Sequence, residues 1–227
     1  MLGAAWLALS DLPTPPFRAA LWKMLGLTLL LLLLAWLGLQ ALVLHFAVWP
    51  SQPWIETSVA IVSGFGFVIG LGFLIGPVSA LMAGLFSDDV AAVVEETHYP
   101  FDPPGRPLSL GASLMGALGF TATTILVNLV CLVLLLVPGV NLVAFFIGNG
   151  YLLGREFFEA AAARHGGVER ARSLRRENAG LVLVGGFVIA LFLAIPIVNL
   201  LTPLFAMAFM THLYKRVAGS VPVAAEV

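Results

Sequence analysis

The sequence predicts an all-α integral membrane protein: two long transmembrane helices, then two proline-turned helical hairpins that penetrate the bilayer partly or span it. Three observations predict this. Hydrophobic residues make up 60% of the chain and charged ones 10%, with a mean hydropathy of +1.04. That balance lies far outside the range of soluble domains. Apolar runs recur at lengths suited to a hydrocarbon core of roughly 30 Å. A hexapeptide pattern then breaks the apolar sequence twice. Val137-Pro138-Gly139-Val140-Asn141-Leu142 returns 58 residues later as Ile195-Pro196-Ile197-Val198-Asn199-Leu200. Proline lacks the amide hydrogen and biases the preceding residue away from helix. Asparagine caps a helix start or accepts a turn. Pro138, Asn141, Pro196 and Asn199 therefore mark two reversals between apolar helices.

The elements follow in order within a single membrane domain. Residues 1–24 read as an interfacial segment, with a short amphipathic piece around Trp6–Ser10 and a break at Pro13, Pro15 and Pro16. Two long transmembrane helices occupy 25–86, the first over about Leu25–Val48 and the second over about Glu56–Phe86. Trp22 and Trp49 flank the first, where interfacial aromatics sit. Glycines in the second, at Gly66, Gly70, Gly72 and Gly76, give small-xxx-small spacings that let another helix approach. A cytoplasmic helix and loop cover 87–119, with Val90, Val93 and Val94 on one side and Asp88, Asp89, Glu95 and Glu96 on the others. The first hairpin covers 120–158, a basic linker 159–179, the second hairpin 180–216 and a tail 217–227. Hairpin arms of 15–18 residues reach roughly 23–27 Å. Length alone leaves full and partial penetration open.

Charge fixes the sides. Arg18 and Lys23, Arg106, the cluster from Arg155 to Arg176, and Lys215 with Arg216 all fall at one end of the predicted spans. The loops 49–54, 138–141 and 196–199 hold no Lys or Arg. Cytoplasmic loops carry the basic excess, so both termini are expected in the cytoplasm. The arginine-rich stretch 155–176 reads in two ways: a solvated connector, or an electrostatic funnel that concentrates anions at a pore mouth.

Several classes are excluded. A net charge of −1 offers no basic surface to nucleic acid. The single cysteine, Cys131, excludes a disulfide framework and reads as a small apolar filler. There is no phosphate-binding G-x-x-x-x-G-K-[ST] and no paired His/Cys metal spacing. No catalytic set, metal or cofactor is expected, and the protein is not read as an enzyme. His45, His98, His165 and His212 lie scattered near loops and span ends, each as an interfacial polar residue. Asn128 reads as an interhelical hydrogen bonder.

The two turns, the stretch from Phe145-Phe146 through Tyr151 to Glu159, the segment Pro77-Val78-Ser79-Ala80-Leu81-Met82-Ala83-Gly84-Leu85, and Trp6-x-x-x-Ser10 followed by prolines and Arg18 carry a resemblance. In these residues the chain resembles the CysZ sulfate permease family. The resemblance implies an inner-membrane protein of bacteria, homo-oligomeric, that admits sulfate passively for cysteine synthesis. It places an oxyanion site at Arg18, Gly84 and Leu85, to which Lys23 and Ser87 could add a charge and a hydroxyl. The chain departs from the family at Ala19, where a second basic residue is usual, and Asp88 and Asp89 lie close in sequence to the site. The partners implied are sulfate or a related oxyanion, the lipid bilayer and further copies of the chain. A non-transporting membrane scaffold or regulator is the alternative, since few polar residues line any span.

Overall fold

The computed structural model describes residues 1–46, 86–134, 140–195 and 198–220. Among them the chain is all-helical. The helices are α1 (Leu2–Asp11), α2 (Pro15–Phe46), α3 (described over 86–98), α4 (Leu110–Leu134), α5 (Val140–Glu177), α6 (Ala179–Leu193) and α7 (Thr202–Val217), with a 3-10 turn at Val198–Leu201 before α7. The predicted second transmembrane helix and the turn residues Pro138 and Pro196 lie outside the described residues. Asn141 falls at the second position of α5, and Asn199 lies exposed in the 3-10 turn.

The chain divides into two compact units. One comprises Met1–Arg18 and Ser87–Val227, and the other Ala19–Phe86. In the second unit, the described part is α2 beyond Arg18. The stretch Pro15–Gly38 of α2 is, among the described residues, the one helix long and apolar enough to cross a membrane. Leu29, Leu30, Leu33, Leu34 and Leu37 are all largely exposed on it. Such a surface is stable only against lipid or a partner. Prolines at the first two helical positions start α2, where a missing amide hydrogen costs nothing. The helix therefore begins at Pro15 rather than after Lys23, and Arg18 and Lys23 lie within it.

In the first unit α7 is the core element. Every residue from Leu204 to Tyr214 is buried, and α1, α5 and α6 pack around it. Its apolar half is aromatic: Phe205 stacks on Phe192 of α6 at 4.2 Å between ring centroids and on Phe209 at 5.6 Å. Helices α5 and α6 cross closely. A Cβ on Gly186 would collide with the Gly150 carbonyl, and one on Gly154 with the Val182 carbonyl. The helix axis turns by 94° between α5 and α6 at Asn178. Within α5, Gly167 adopts φ 77°, a left-handed value that favours glycine, and breaks the helix.

The basic stretch 155–176 is ordered rather than irregular. It lies within α5, on both sides of the break at Gly167, and its arginines divide. Arg155 and Arg164 are buried, whereas Arg170 and Arg176 are exposed. Among the described residues Asn128 bonds the Thr124 carbonyl one turn back in α4 and not another helix. A polar side chain on a lipid-type face satisfies itself in this way. Cys131 packs against Gly148 and meets the Ala144 carbonyl at 3.5 Å, joining α4 to α5 as a small filler.

Candidate functional site

The residues expected to hold an oxyanion are only partly described. Arg18 lies exposed in the first turn of α2, its amide bonded to the Thr14 carbonyl. Lys23, also exposed, lies five residues on, about 140° around the helix. Gly84 and Leu85 fall outside the described residues. Ser87 is half-buried in α3. Because Pro15 and Pro16 carry no amide hydrogen, the start of α2 offers few free donors of its own. An anion there would be held by side chains.

The structure also assembles a polar core that hydropathy does not reveal. Helix α3 buries one stripe: Val90, Ala91, Val94, Glu95 and His98. Glu95 was expected on the wet side of this helix and is instead 5% exposed. The reason is a partner on α5. Arg164 reaches across with a nearly buried guanidinium that bonds Glu95 at 3.3 Å, the Asp88 carboxylate, and the Asp88 and Gly105 carbonyls. His165 meets the other Glu95 oxygen at 2.8 Å, and the Gly105 amide donates to Glu95 at 2.9 Å. Burial pushes the Glu95 carboxyl up. The hydrogen bonds from His165, Arg164 and the Gly105 amide outweigh it and bring the pKa down to about 2. The 99–109 loop is thereby tied to α5, and the Arg106 amide bonds the Arg164 carbonyl at 2.8 Å.

A second cluster lies where α1, α3 and α7 meet. Asp11 ends α1 and is 6% exposed. His98 Nε2 lies 2.8 Å from one Asp11 oxygen and His212 Nε2 lies 3.4 Å from the other. The Tyr99 hydroxyl meets His212 Nδ1 at 3.0 Å. The two imidazoles sit edge to face with centroids 4.9 Å apart. Burial pushes Asp11 up, and the hydrogen bonds from His212 and His98 more than offset it, leaving the carboxyl below its usual range. Burial, with Asp102 and Asp11 nearby, pushes the Tyr99 phenol up to about 12. Lys215 completes the region: buried near the end of α7, it bonds Asp102 at 3.0 Å and lies 5.4 Å from the Tyr99 ring centroid. His98, His165 and His212 are thus not scattered interfacial residues. One signal was present in the sequence: Ala91, Val94, Glu95 and His98 repeat at helical spacing through a polar stretch.

A cavity of about 320 Å³ opens beside this core, lined by Glu95, Glu96, Tyr99, Asp102, Gly105 and Arg164 among others. Its one cation is already held by Asp88 and Glu95. The remaining carboxylates repel a dianion, so this cavity is not the expected oxyanion site.

A family model described as "Sulfate transporter CysZ/Etoposide-induced protein 2.4" matches residues 4–203. That span takes in most of α1 with Asp11, the α3 and α5 parts of the polar core, the first hairpin and the first arm of the second, and ends at the start of α7. No curated protein matches the chain. The family supports a membrane protein with a sulfate-transporter-like function. With most of its length matched by that model, the chain belongs to the family of the sulfate transporter CysZ and etoposide-induced protein 2.4.

Proposed function

We propose that the protein is a passive channel or permease for sulfate or a similar oxyanion in a bacterial inner membrane, supplying sulfate for cysteine synthesis. Membership of the family over residues 4–203 carries this reading. The placement of Arg18 supports it: an exposed guanidinium in the opening turn of the apolar helix α2. A guanidinium presents paired donors to a tetrahedral oxyanion, and the positive end of a helix dipole adds to the attraction. Lys23 supplies a second charge, while Gly84, Leu85 and Ser87 complete the proposed site. The basic ends of the chain face the cytoplasm in this reading, and several copies assemble.

The first arm of the second hairpin favours partial penetration. Helix α6 has 15 residues, or about 22 Å. Arg175, Arg176 and Asn178 mark its corner with α5. With that corner in water, α6 ends at Leu193, short of the far side of a core roughly 30 Å thick.

Uptake of radioactive sulfate into liposomes holding the purified chain tests the proposal. Sulfate entry well above that of empty liposomes is expected, competed by other oxyanions. Arg18→Ala is expected to lower it about tenfold or more, with partial recovery in Arg18→Lys. Liposomes no leakier than empty ones would refute transport and leave a scaffold role. Full flux in Arg18→Ala would remove Arg18 from the site.

A further inference from the structure

The carboxylates of the polar core do not share one kind of partner. Glu95 and Asp88 have Arg164, Asp102 has Lys215, and Glu159 has Arg155 and Arg175. Asp11 differs. Among the described residues its ion partners are two imidazoles, His98 and His212. All three side chains are buried. Asp11 thus has no guanidinium or ammonium partner among the described residues, and a buried carboxylate is costly in a low-dielectric interior unless it is paired. Both rings also direct the same nitrogen, Nε2, at the one carboxylate.

We propose that Asp11, His98 and His212 bind a divalent transition-metal ion of the zinc type, and that the ion clamps α1 and α3 to α7. The ligand set is two nitrogens and a carboxylate oxygen, which suits zinc and its neighbours rather than the hard ions that prefer oxygen alone. The spacing suits it too. An ion about 2.0 Å from each ligand in a tetrahedral arrangement holds the ligand atoms about 3.3 Å apart. The two carboxylate-to-imidazole distances are 2.8 and 3.4 Å, and one ligand atom from each residue lies within 4.8 Å of the others. Small side-chain shifts close the remainder.

The proton inventory is consistent. Without metal, each Nε2 carries a hydrogen that it donates to Asp11. With metal, Nε2 presents its lone pair and the hydrogen moves to Nδ1, so neutral imidazoles ligate with no net proton released. On His212 the Tyr99 hydroxyl oxygen waits 3.0 Å away to accept that hydrogen. Ligating histidines are normally oriented by such a partner on the second nitrogen. His98 Nδ1 is buried with no partner among the described residues, so no group on its second nitrogen orients that ring. Three protein ligands leave a fourth position for water. A divalent ion places its charge directly at the Asp11 carboxylate, adding to the stabilisation that the imidazole hydrogen bonds supply.

The test uses the untagged full-length chain in detergent, stripped with a chelator and titrated with Zn²⁺ alone. About one zinc per chain is expected after gel filtration, with a rise in the unfolding midpoint. Cobalt in its place is expected to give the intense visible bands of a four-coordinate nitrogen-and-oxygen site. Asp11→Asn, His98→Gln and His212→Gln are each expected to weaken binding more than about 100-fold. Tyr99→Phe, a positioning change, should weaken it about 10- to 100-fold. His165→Gln, whose ring is bonded to Glu95, should leave binding unchanged. A wild-type chain that retains no stoichiometric zinc overturns the proposal, as does binding that survives in folded His212→Gln. Should the ligand variants aggregate, the wild-type cobalt spectrum decides, and weak bands of six-coordinate ion overturn it. Sulfate flux does not enter, so this result is independent of the transport reading.

Discussion

Arg164 is the hinge of the polar core, and Arg164→Met tests that view most directly. The guanidinium side chain is 3% exposed and its partner Glu95 5%. Methionine keeps much of the volume and removes every donor. Glu95 then stays buried with His165 and the Gly105 amide but without its cation. Removing one partner of a buried pair costs about 3–5 kcal/mol, because the other charge is left uncompensated. The Asp88 contribution is small, since that carboxylate is 46% exposed and its pairing is screened. For a chain of this size each kcal/mol lowers the melting midpoint by roughly 2–4 °C. The expected drop is therefore roughly 6–20 °C, read by helical circular dichroism in one detergent. Adding Glu95→Gln removes the orphaned charge and keeps an acceptor for the Gly105 amide, so the double variant should regain at least about 1 kcal/mol. A single variant within about 1 kcal/mol of wild type would refute the reasoning. So would a double variant no more stable than the single.

Two further outcomes follow from the same geometry. The Glu95 carboxyl is held at about 2 against an ordinary 4.5, so its contribution is complete above about pH 4.5 and fades as pH falls towards 2. The shift corresponds to about 3 kcal/mol, and Glu95→Gln should flatten the acid limb of a stability-against-pH curve; an unchanged limb would remove Glu95 as its cause. Gly186→Ala drives a Cβ into the Gly150 carbonyl and should destabilise by about 1–3 kcal/mol, whereas Gly180→Ala, with open space around it, should be neutral or slightly stabilising. Equal melting midpoints for the two would show that α5 and α6 do not cross as described.

What was legible in the sequence was what lipid reads. The long run of α2 and the apolar helices α4 and α6 follow from hydropathy, which acts locally. The polar core was not legible, because its contacts are remote. Asp11 meets His98 across 87 positions, Arg164 meets Glu95 across 69 and Lys215 meets Asp102 across 113. Each of these residues looks like a surface charge when read beside its neighbours. A positive-inside signal also masks structural arginines, since both readings predict basic residues on one side. The start of α2 shows a smaller limit: Lys23 suggested a boundary, yet the two prolines set the helix start eight residues earlier.

The eleven basic residues consequently divide by task, and the division bears on transport. Arg155, Arg164, Arg175 and Lys215 are bonded to carboxylates, and all but Arg175 are buried. Arg172 is half-buried. Arg18, Lys23, Arg106, Arg170, Arg176 and Arg216 are exposed. A dianion gains little from a guanidinium already saturated by two carboxylates, because it must displace a closer negative charge. An exposed guanidinium loses only water. The choice between a solvated connector and an anion funnel therefore has no single answer for 155–176. Arg164 ties α5 to α3, Arg155 and Arg175 both bond Glu159 of α5 itself, and Arg170 and Arg176 remain exposed on its surface to attract an anion. Neutralising a bonded cation acts on folding, and neutralising an exposed one acts on encounter, with a salt dependence that the first lacks. Arg18 belongs to the exposed set, and it alone of that set lies in the opening turn of the apolar helix α2.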